Sequence, residues 1–272
     1  TTLEYAYDDW CIAQLAQKLG RTDVYNDFLK RSANWRNVYD ASIGFMRPRL
    51  NDGSFRENFD VLETDGQGFI EGNAWNYSLY VPHDPAALIR LMGGEKKFIP
   101  HLDSLFTMHL PDEFFAHTED ITRDGIIGNY VHGNEPAHHV AYLYNWTSQP
   151  WKTQERIRMI LKKQYHNGAD GLGGNDDCGQ MSAWYMMSTL GFYPVAPASD
   201  QYAIGSPAVD HAVLNLENGK QFIIEVKDQS DKNVYVRKIE LNGKVLNHLF
   251  LSHADSAQGG TIVFYMSAKA RQ

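Results

Sequence analysis

The hydrophobic period of this chain changes once, near Pro194, and that change limits what it can fold into. Before it, apolar residues recur at helical spacing, as in the broad stripe Leu3, Ala6, Trp10, Ile12, Ala13, Leu15, Ala16 and Leu19, closed by Gly20. After it, short alternating or β-branched runs over residues 212–216, 222–226, 234–241 and 261–266 read as strands, punctuated by Asn218-Gly219, Asn242-Gly243 and Gly259-Gly260. The expected fold class is mainly α with a β tail: a helical domain over 1–195 and a small antiparallel β domain over 196–272, with the border near Val195-Ala196-Pro197. A chain of 272 residues is long enough to bury a full core in such an arrangement.

Within the helical part, residues 1–20 and a second helix from Thr22-Asp23 to about Tyr39 form a hairpin. Residues 41–70 turn to Gly, Pro, Asn, Asp and Arg with isolated aromatics, a long loop of the kind that is often functional. Asn73 then caps a helix, Asp84-Pro85 opens another that Gly93-Gly94 stops, and residues 99–108 form a further one. Residues 111–129 are loop, with a Phe114-Phe115 pair. Asn134 caps a helix to about Trp146, with Pro136 in its first turn, and Pro150-Trp151 opens one more to Tyr165.

The charge balance argues against nucleic acid as a partner, because 33 acidic residues face 25 basic ones and Lys and Arg form no patch. No apolar run reaches membrane-spanning length, so no membrane partner is expected. Cys11 and Cys178 lie in no metal-type spacing and read either as free thiols or as one disulfide. The chain opens directly in a helical pattern, so the expectation is that its natural N-terminus lies further upstream and that targeting is not legible. Aromatic residues make up 12% of the chain; they suit a core, and beside Asn, Asp and Glu they also suit a sugar site.

Three helix starts share one plan: Glu71-Gly72-Asn73, Gly133-Asn134-Glu135 and Gly174-Asn175-Asp176-Asp177. Each sets a carboxylate against a Gly-Asn turn at a helix mouth, where free N–H groups hold acids ionised. Each acid also has a structural reading; Asp177 with Gln180 matches a capping box. Gly128-Asn129 shows that the dipeptide alone is not diagnostic, and Asp8-Asp9, inside the first helix, reads as solvated or structurally paired. Two acids across a cleft with aromatics nearby suit glycosidic cleavage, one protonating the leaving oxygen and the other activating water or attacking carbon. Two alternatives stand beside this: a zinc hydrolase built from His132, Glu135, His138 and His139, whose spacing fits no usual zinc motif, and a non-catalytic carbohydrate-binding or structural module.

Several motifs in order, Tyr5-Ala6-Tyr7-Asp8-Asp9-Trp10, Glu71-Gly72-Asn73-Ala74-Trp75, Val81-Pro82-His83-Asp84, His132-Gly133-Asn134-Glu135-Pro136, Gly174-Asn175-Asp176-Asp177-Cys178-Gly179-Gln180 and Tyr202-Ala203-Ile204-Gly205-Ser206-Pro207, resemble glycoside hydrolase family 92, the calcium-dependent exo-acting α-mannosidases. The resemblance implies that the helices are the later part of an (α/α)6 barrel and that the tail is the family's C-terminal β region. It implies an inverting mechanism releasing mannose from α-mannoside oligosaccharides of the N-glycan type, α-1,2 in the first instance. Glu71 matches the general acid and Asp177 the base, with Asp176 as its helper. Trp75, His132, Glu135 and Trp184 fall to substrate binding, and Asn134, Glu135 and Asp177 to calcium. The resemblance also implies a periplasmic or extracellular location and a fragment whose N-terminal β-sandwich domain, one wall of the active site, belongs to the same polypeptide and would be its partner. Activity of the chain by itself is then not expected.

Overall fold

The structure is a computed structural model that describes residues 1–64, 66–111 and 125–270. The chain separates into two compact units, Thr1–Val140 and Ala141–Gln272, so the change from helices to strands falls inside the second unit.

The first unit opens with α1 (Thr2–Lys18) and α2 (Thr22–Arg31), an antiparallel pair turned by Gly20. Helix α1 buries Leu3, Ala6, Ala13 and Ala16 on one stripe. Asp9 is buried on the same stripe and receives both Nη2 and Nε of Arg31, at 2.9 and 3.1 Å. That paired geometry makes Asp9 structural, because a buried carboxylate is tolerated only with a partner. Helix α2 stops earlier than its spacing predicts: the Ser32 hydroxyl donates back to the Leu29 carbonyl at 2.7 Å, a local bond that competes with the helical ladder. A 3-10 turn, Asn34–Val38, follows and buries Trp35 completely.

The loop that follows is held by a short hairpin, β1 (Tyr39–Asp40) with β2 (Phe45–Met46). Buried Asp40 anchors it, bonding to both the amide and hydroxyl of Ser42 and to Arg47. Burial alone would raise the Asp40 pKa, but the Ser42 and Arg47 bonds outweigh it and hold the carboxyl below its usual range. Helices α3 (Ala74–Tyr77), α4 (Pro85–Leu91) and α5 (Glu95–Thr107) come next. Asp84 caps α4 through the Ala87 amide at 3.1 Å, with Pro85 in its first turn. Helix α5 begins at Glu95, four residues before the apolar run that suggested it, because Gly94 at φ 81° already turns the chain. The Phe114-Phe115 pair lies outside the described residues. The hairpin β3 (Ile126–Ile127) with β4 (Tyr130–Val131) leads to Asn134. In place of one α-helix to Trp146, two 3-10 stretches form, Glu135–Ala137 and Val140–Trp146. Residues 140–144 are all buried, so packing on every side, rather than a single apolar stripe, sets the winding.

The second unit sets α6 (Trp151–Gln164) and α7 (Gln180–Leu190) against strands. A three-stranded sheet is ordered β11 (Phe250–Ser252), β6 (Gln201–Ile204), β5 (Phe192–Tyr193). A five-stranded sheet is ordered β10 (Lys244–Val245), β9 (Tyr235–Leu241), β12 (Gly260–Ser267), β8 (Gln221–Lys227), β7 (His211–Asn215). It departs from the antiparallel expectation at one place: β12 runs parallel to β8. The cause lies in the connection. Helix α8 (His253–Ala257) returns the chain to the β7–β8 turn, where Asn218 Nδ2 donates to the Ala257 carbonyl at 2.8 Å, so β12 starts beside the start of β8. Phe192, Ile204, Phe222, Ile224, Ile262, Phe264 and Met266 form the core beneath the strands, each large side chain contributing about 1.5–3 kcal/mol by leaving water. Helix α6 is tied to the strand region by Gln154 Oε1, which accepts the Val236 amide at 3.0 Å, and by Arg158, which donates to the Pro207 and Ser230 carbonyls.

Candidate active site

In the first unit, Glu71 is exposed at the mouth of α3, and the residues behind it are pinned. Asn73 is buried and caps α3 by accepting from the Trp75 and Asn76 amides at 3.1 and 3.3 Å, while Asn76 Oδ1 accepts the Asn73 amide at 3.1 Å. The sequence predicts Asn73 as a cap; the structure makes it a reciprocal box, with an asparagine in the third position where Glu or Gln is usual. Gly72 is required twice over: its φ is 63°, and a Cβ there would meet Asn76 Oδ1 at 2.7 Å. A pocket is lined by Glu71, Asn73, Asn76, Asn129 and Asn134, among others. The Glu71 carboxylate accepts no hydrogen bond among the described residues.

Acids gather around two tyrosines here. Burial pushes the Tyr77 phenol well above its ordinary pKa, and the nearby Glu71 and Glu4 carboxylates add to the shift. Burial likewise pushes Tyr80 up to about 12, with Glu4, Asp8, Cys11 and Glu135 contributing. Asp8 and Asp9 therefore diverge: Asp9 is locked to Arg31, whereas exposed Asp8 faces the Tyr80 side. Trp75 is half-buried, stacked on His101 at 4.3 Å and edge-on to Phe45.

The histidines are packing groups. His132 is fully buried, with Nδ1 against the Tyr130 hydroxyl at 2.8 Å; His138 and His139 donate from Nε2 to the carbonyls of His132 and Leu79. Neither of the last two faces a cleft, since they are 1% and 4% exposed. Burial lowers the pKa of each to about 4, which keeps both neutral. With these nitrogens engaged, the zinc alternative has no ligand set, and among the described residues no three of His, Cys, Asp and Glu form a metal-binding group.

In the second unit, Asp176 and Asp177 differ sharply. Asp176 is half-buried and its two oxygens accept the Ser182 amide and the Ser182 hydroxyl, both at 2.9 Å. It thus serves the first turn of α7, the capping role the sequence assigned to Asp177. Asp177 is exposed, and its carboxylate accepts no hydrogen bond among the described residues. The backbone explains the reversal. Asp177, Cys178 and Gly179 have φ of 44°, 59° and 92°, three consecutive left-handed residues, and α7 starts only at Gln180. Each non-glycine residue in that region costs roughly 1–2 kcal/mol, and such strain persists only where the surroundings impose it. Cys11 and Cys178 are both free thiols. Trp184 is fully buried and stacked on Tyr165 with planes 3° apart, so it presents no face to solvent.

The expected calcium donors are oxygen atoms, as that ion prefers. Asn134 stands at an N-cap position without capping, which leaves its amide oxygen available, and Asp177 is likewise uncommitted. Each, taken by itself, is an oxygen donor of the kind calcium accepts.

The sequence profile of the glycosyl hydrolase family 92 catalytic domain matches residues 1–268. The chain belongs to this family. The GH92 chain is 44% identical to a family GH92 α-mannosidase from Bacteroides thetaiotaomicron, with a TM-score of 0.92 over 99% of this chain and 35% of that one. The same enzyme solved in complex with mannoimidazole superimposes with a TM-score of 0.93. An inverting GH92 mannosidase from that bacterium is 38% identical, with a TM-score of 0.87 over 99% of this chain and 37% of its own. A protein of Arthroderma benhamiae described as an uncharacterized secreted glycosidase is 27% identical over 96% of this chain and 34% of its own length. The GH92 chain thus spans about a third of the length of these relatives.

Sequence reasoning named the exposed acids but missed the groups that hold them: Asn76, Asn129 and Ser182. The signal for Ser182 was present, six residues after Asp176 in the first turn of a helix. For Asn129 it was only the Gly-Asn dipeptide.

Proposed function

We propose that this GH92 chain supplies the acid and the base of an inverting exo-α-mannosidase. The observation that carries the reading is a contrast: among the described residues the exposed carboxylates of Glu71 and Asp177 accept no hydrogen bond, while Asn73, Asn76 and Asp176 beside them are committed to holding the backbone. In this reading the protonated Glu71 carboxyl gives its proton to the glycosidic oxygen as the C1–O bond breaks. Asp177 takes a proton from water, whose oxygen attacks C1 from the opposite face. Asp176 holds Asp177 in place through Ser182. Trp75 and Glu135 are the residues we assign to the sugar, and His132 and Trp184 act from behind, as packing residues.

Asn134, Glu135 and Asp177 are the residues we assign as oxygen donors to calcium, which, when bound, would supply positive charge to polarise sugar hydroxyls. The substrate class is an α-mannoside oligosaccharide, of the N-glycan type and with α-1,2 linkages in the first instance, which accords with the mannoimidazole complex of the relative. We read residues 1–195 as the helical catalytic domain, part of an (α/α)6 barrel, and 196–272 as the β domain. Activity requires the rest of the natural polypeptide, and a location outside the cytoplasm accords with the secreted description of the fungal relative. The test is mannose release from an α-linked manno-oligosaccharide by the natural polypeptide, with and without chelator. The reading expects calcium-dependent release that Glu71→Gln abolishes; full activity of that variant on the oligosaccharide would overturn it.

A further inference from the structure

We infer that Asn129 is a positioning residue for Glu71: a buried amide that fixes the backbone from which the acid projects. This rests on the acid role proposed for Glu71. Asn129 is completely buried, and its own place is set by its neighbours. Its amide donates to the Leu105 carbonyl at 2.8 Å. Gly128 before it has φ 67°, and a Cβ there would lie 2.6 Å from the Leu105 oxygen and 2.7 Å from the Phe106 carbonyl carbon. The chain is thus pressed against the end of α5, and only glycine permits that approach.

From this anchor Asn129 reaches both halves of the box behind Glu71. Its side chain pairs reciprocally with Asn73: Asn73 Nδ2 donates to Asn129 Oδ1 at 3.3 Å, and Asn129 Nδ2 donates to Asn73 Oδ1 at 3.4 Å. Its carbonyl accepts Asn76 Nδ2 at 2.5 Å. Asn73 Nδ2 also donates to the Leu62 carbonyl at 3.2 Å. Every amide of the triad is committed, as a buried polar network demands. Glu71 is joined to this network through the single residue Gly72. Its carboxylate accepts no hydrogen bond among the described residues, so the Gly72-Asn73 backbone sets the point and direction from which the side chain projects. An asparagine is needed at 129 because the pair requires a donor and an acceptor from one planar group. Aspartate would face Asn73 Oδ1 with a second acceptor, and alanine would leave Asn73 with only the Leu62 carbonyl and its cap bonds.

The test compares two substrates in the natural polypeptide: an α-linked mannobiose, whose leaving alkoxide needs a proton, and α-mannosyl fluoride, whose leaving group needs far less help. Glu71→Gln is run beside Asn129→Asp. The inference expects Asn129→Asp to lower kcat on mannobiose by on the order of 10-fold, a part of the 10²–10⁴-fold that a positioned acid supplies, with KM little changed and the fluoride largely spared. Equal losses on both substrates would mean a merely structural role and overturn the inference, as would no loss at all. If Glu71→Gln itself loses equally on both, the acid assignment fails first, and the inference with it. Should Asn129→Asp not fold, Asn76→Ser removes the tie to the Asn129 carbonyl and is read by the same pair of substrates.

Discussion

Glu71 and Asp177 stand at helix starts built in opposite ways. Behind Glu71 the backbone is fixed by neutral amides: Asn73, Asn76 and Asn129 satisfy one another, and glycines at 72 and 128 let the chains approach. Behind Asp177 it is fixed by charge and strain. The Asp176 carboxylate grips Ser182 twice, and three left-handed residues carry Asp177 outward. In both places the carboxylate proposed for chemistry is the one the fold leaves unbonded. A helix start can thus be pinned by amide pairing or by a carboxylate and a left-handed turn, and either way the exposed carboxylate takes no part in the pinning.

The largest expected effects fall on the two exposed acids. Glu71→Gln and Asp177→Asn should each lower kcat on an α-linked manno-oligosaccharide by about 10²–10⁴-fold in the natural polypeptide, and steady-state kinetics measures it. Asp176→Asn should cost less, because it keeps one acceptor for Ser182; if it costs more than Asp177→Asn, the roles of the two aspartates are exchanged.

Acid should separate the two regions. Burial holds His138 and His139 neutral in the first unit, each with a pKa of about 4 against an ordinary 6.5. The unfolded chain takes up those protons first, so their contribution is complete above about pH 6.5 and declines as pH falls toward about 4. Each histidine gives a slope of up to about 1.4 kcal/mol per pH unit in that window. The opening free energy at α3, read by hydrogen exchange corrected for the pH dependence of the intrinsic rate, should therefore fall more steeply than at α7 between pH 7 and 4. Parallel falls would show that the two starts share one stability.

Gly72→Ala should destabilise the first unit by about 1–3 kcal/mol, from the positive φ and the displaced Asn76, as read by denaturant unfolding. Ser182→Ala is smaller, about 1 kcal/mol for a lost cap, and should lower kcat as well by loosening Asp177. If stability falls while kcat does not, Asp176 is a cap and nothing more.

Much of the fold was legible in the sequence because its signals are local. The strand positions 222–226 and 261–266, the Asn73 cap and the Pro85 start each depend on a few neighbouring residues, and each is observed within a residue or two. What was not legible depends on partners far along the chain. The parallel pairing of β12 with β8 follows from where α8 returns, at the Asn218 turn 39 residues before Ala257. At the site, the exposed acids were readable because few residue types can do their chemistry. Their supports were not, since Asn129 lies 56 residues from Asn73 and nothing in its local sequence points there. The cap assigned to Asp177 passes to Asp176 because residues 177–179 turn left-handed, a conformation that an Asp-Cys-Gly run permits without announcing.

The measurement that bears most directly on the paired roles of Glu71 and Asp177 is the configuration of the first-formed mannose, followed by proton NMR as an α-linked manno-oligosaccharide is hydrolysed by the natural polypeptide. An acid and a base acting on opposite faces deliver water with inversion, so β-mannose should appear first and α-mannose only later, by mutarotation. Initial release of α-mannose would mean a covalent glycosyl intermediate and would contradict the assignment of Asp177 as a base.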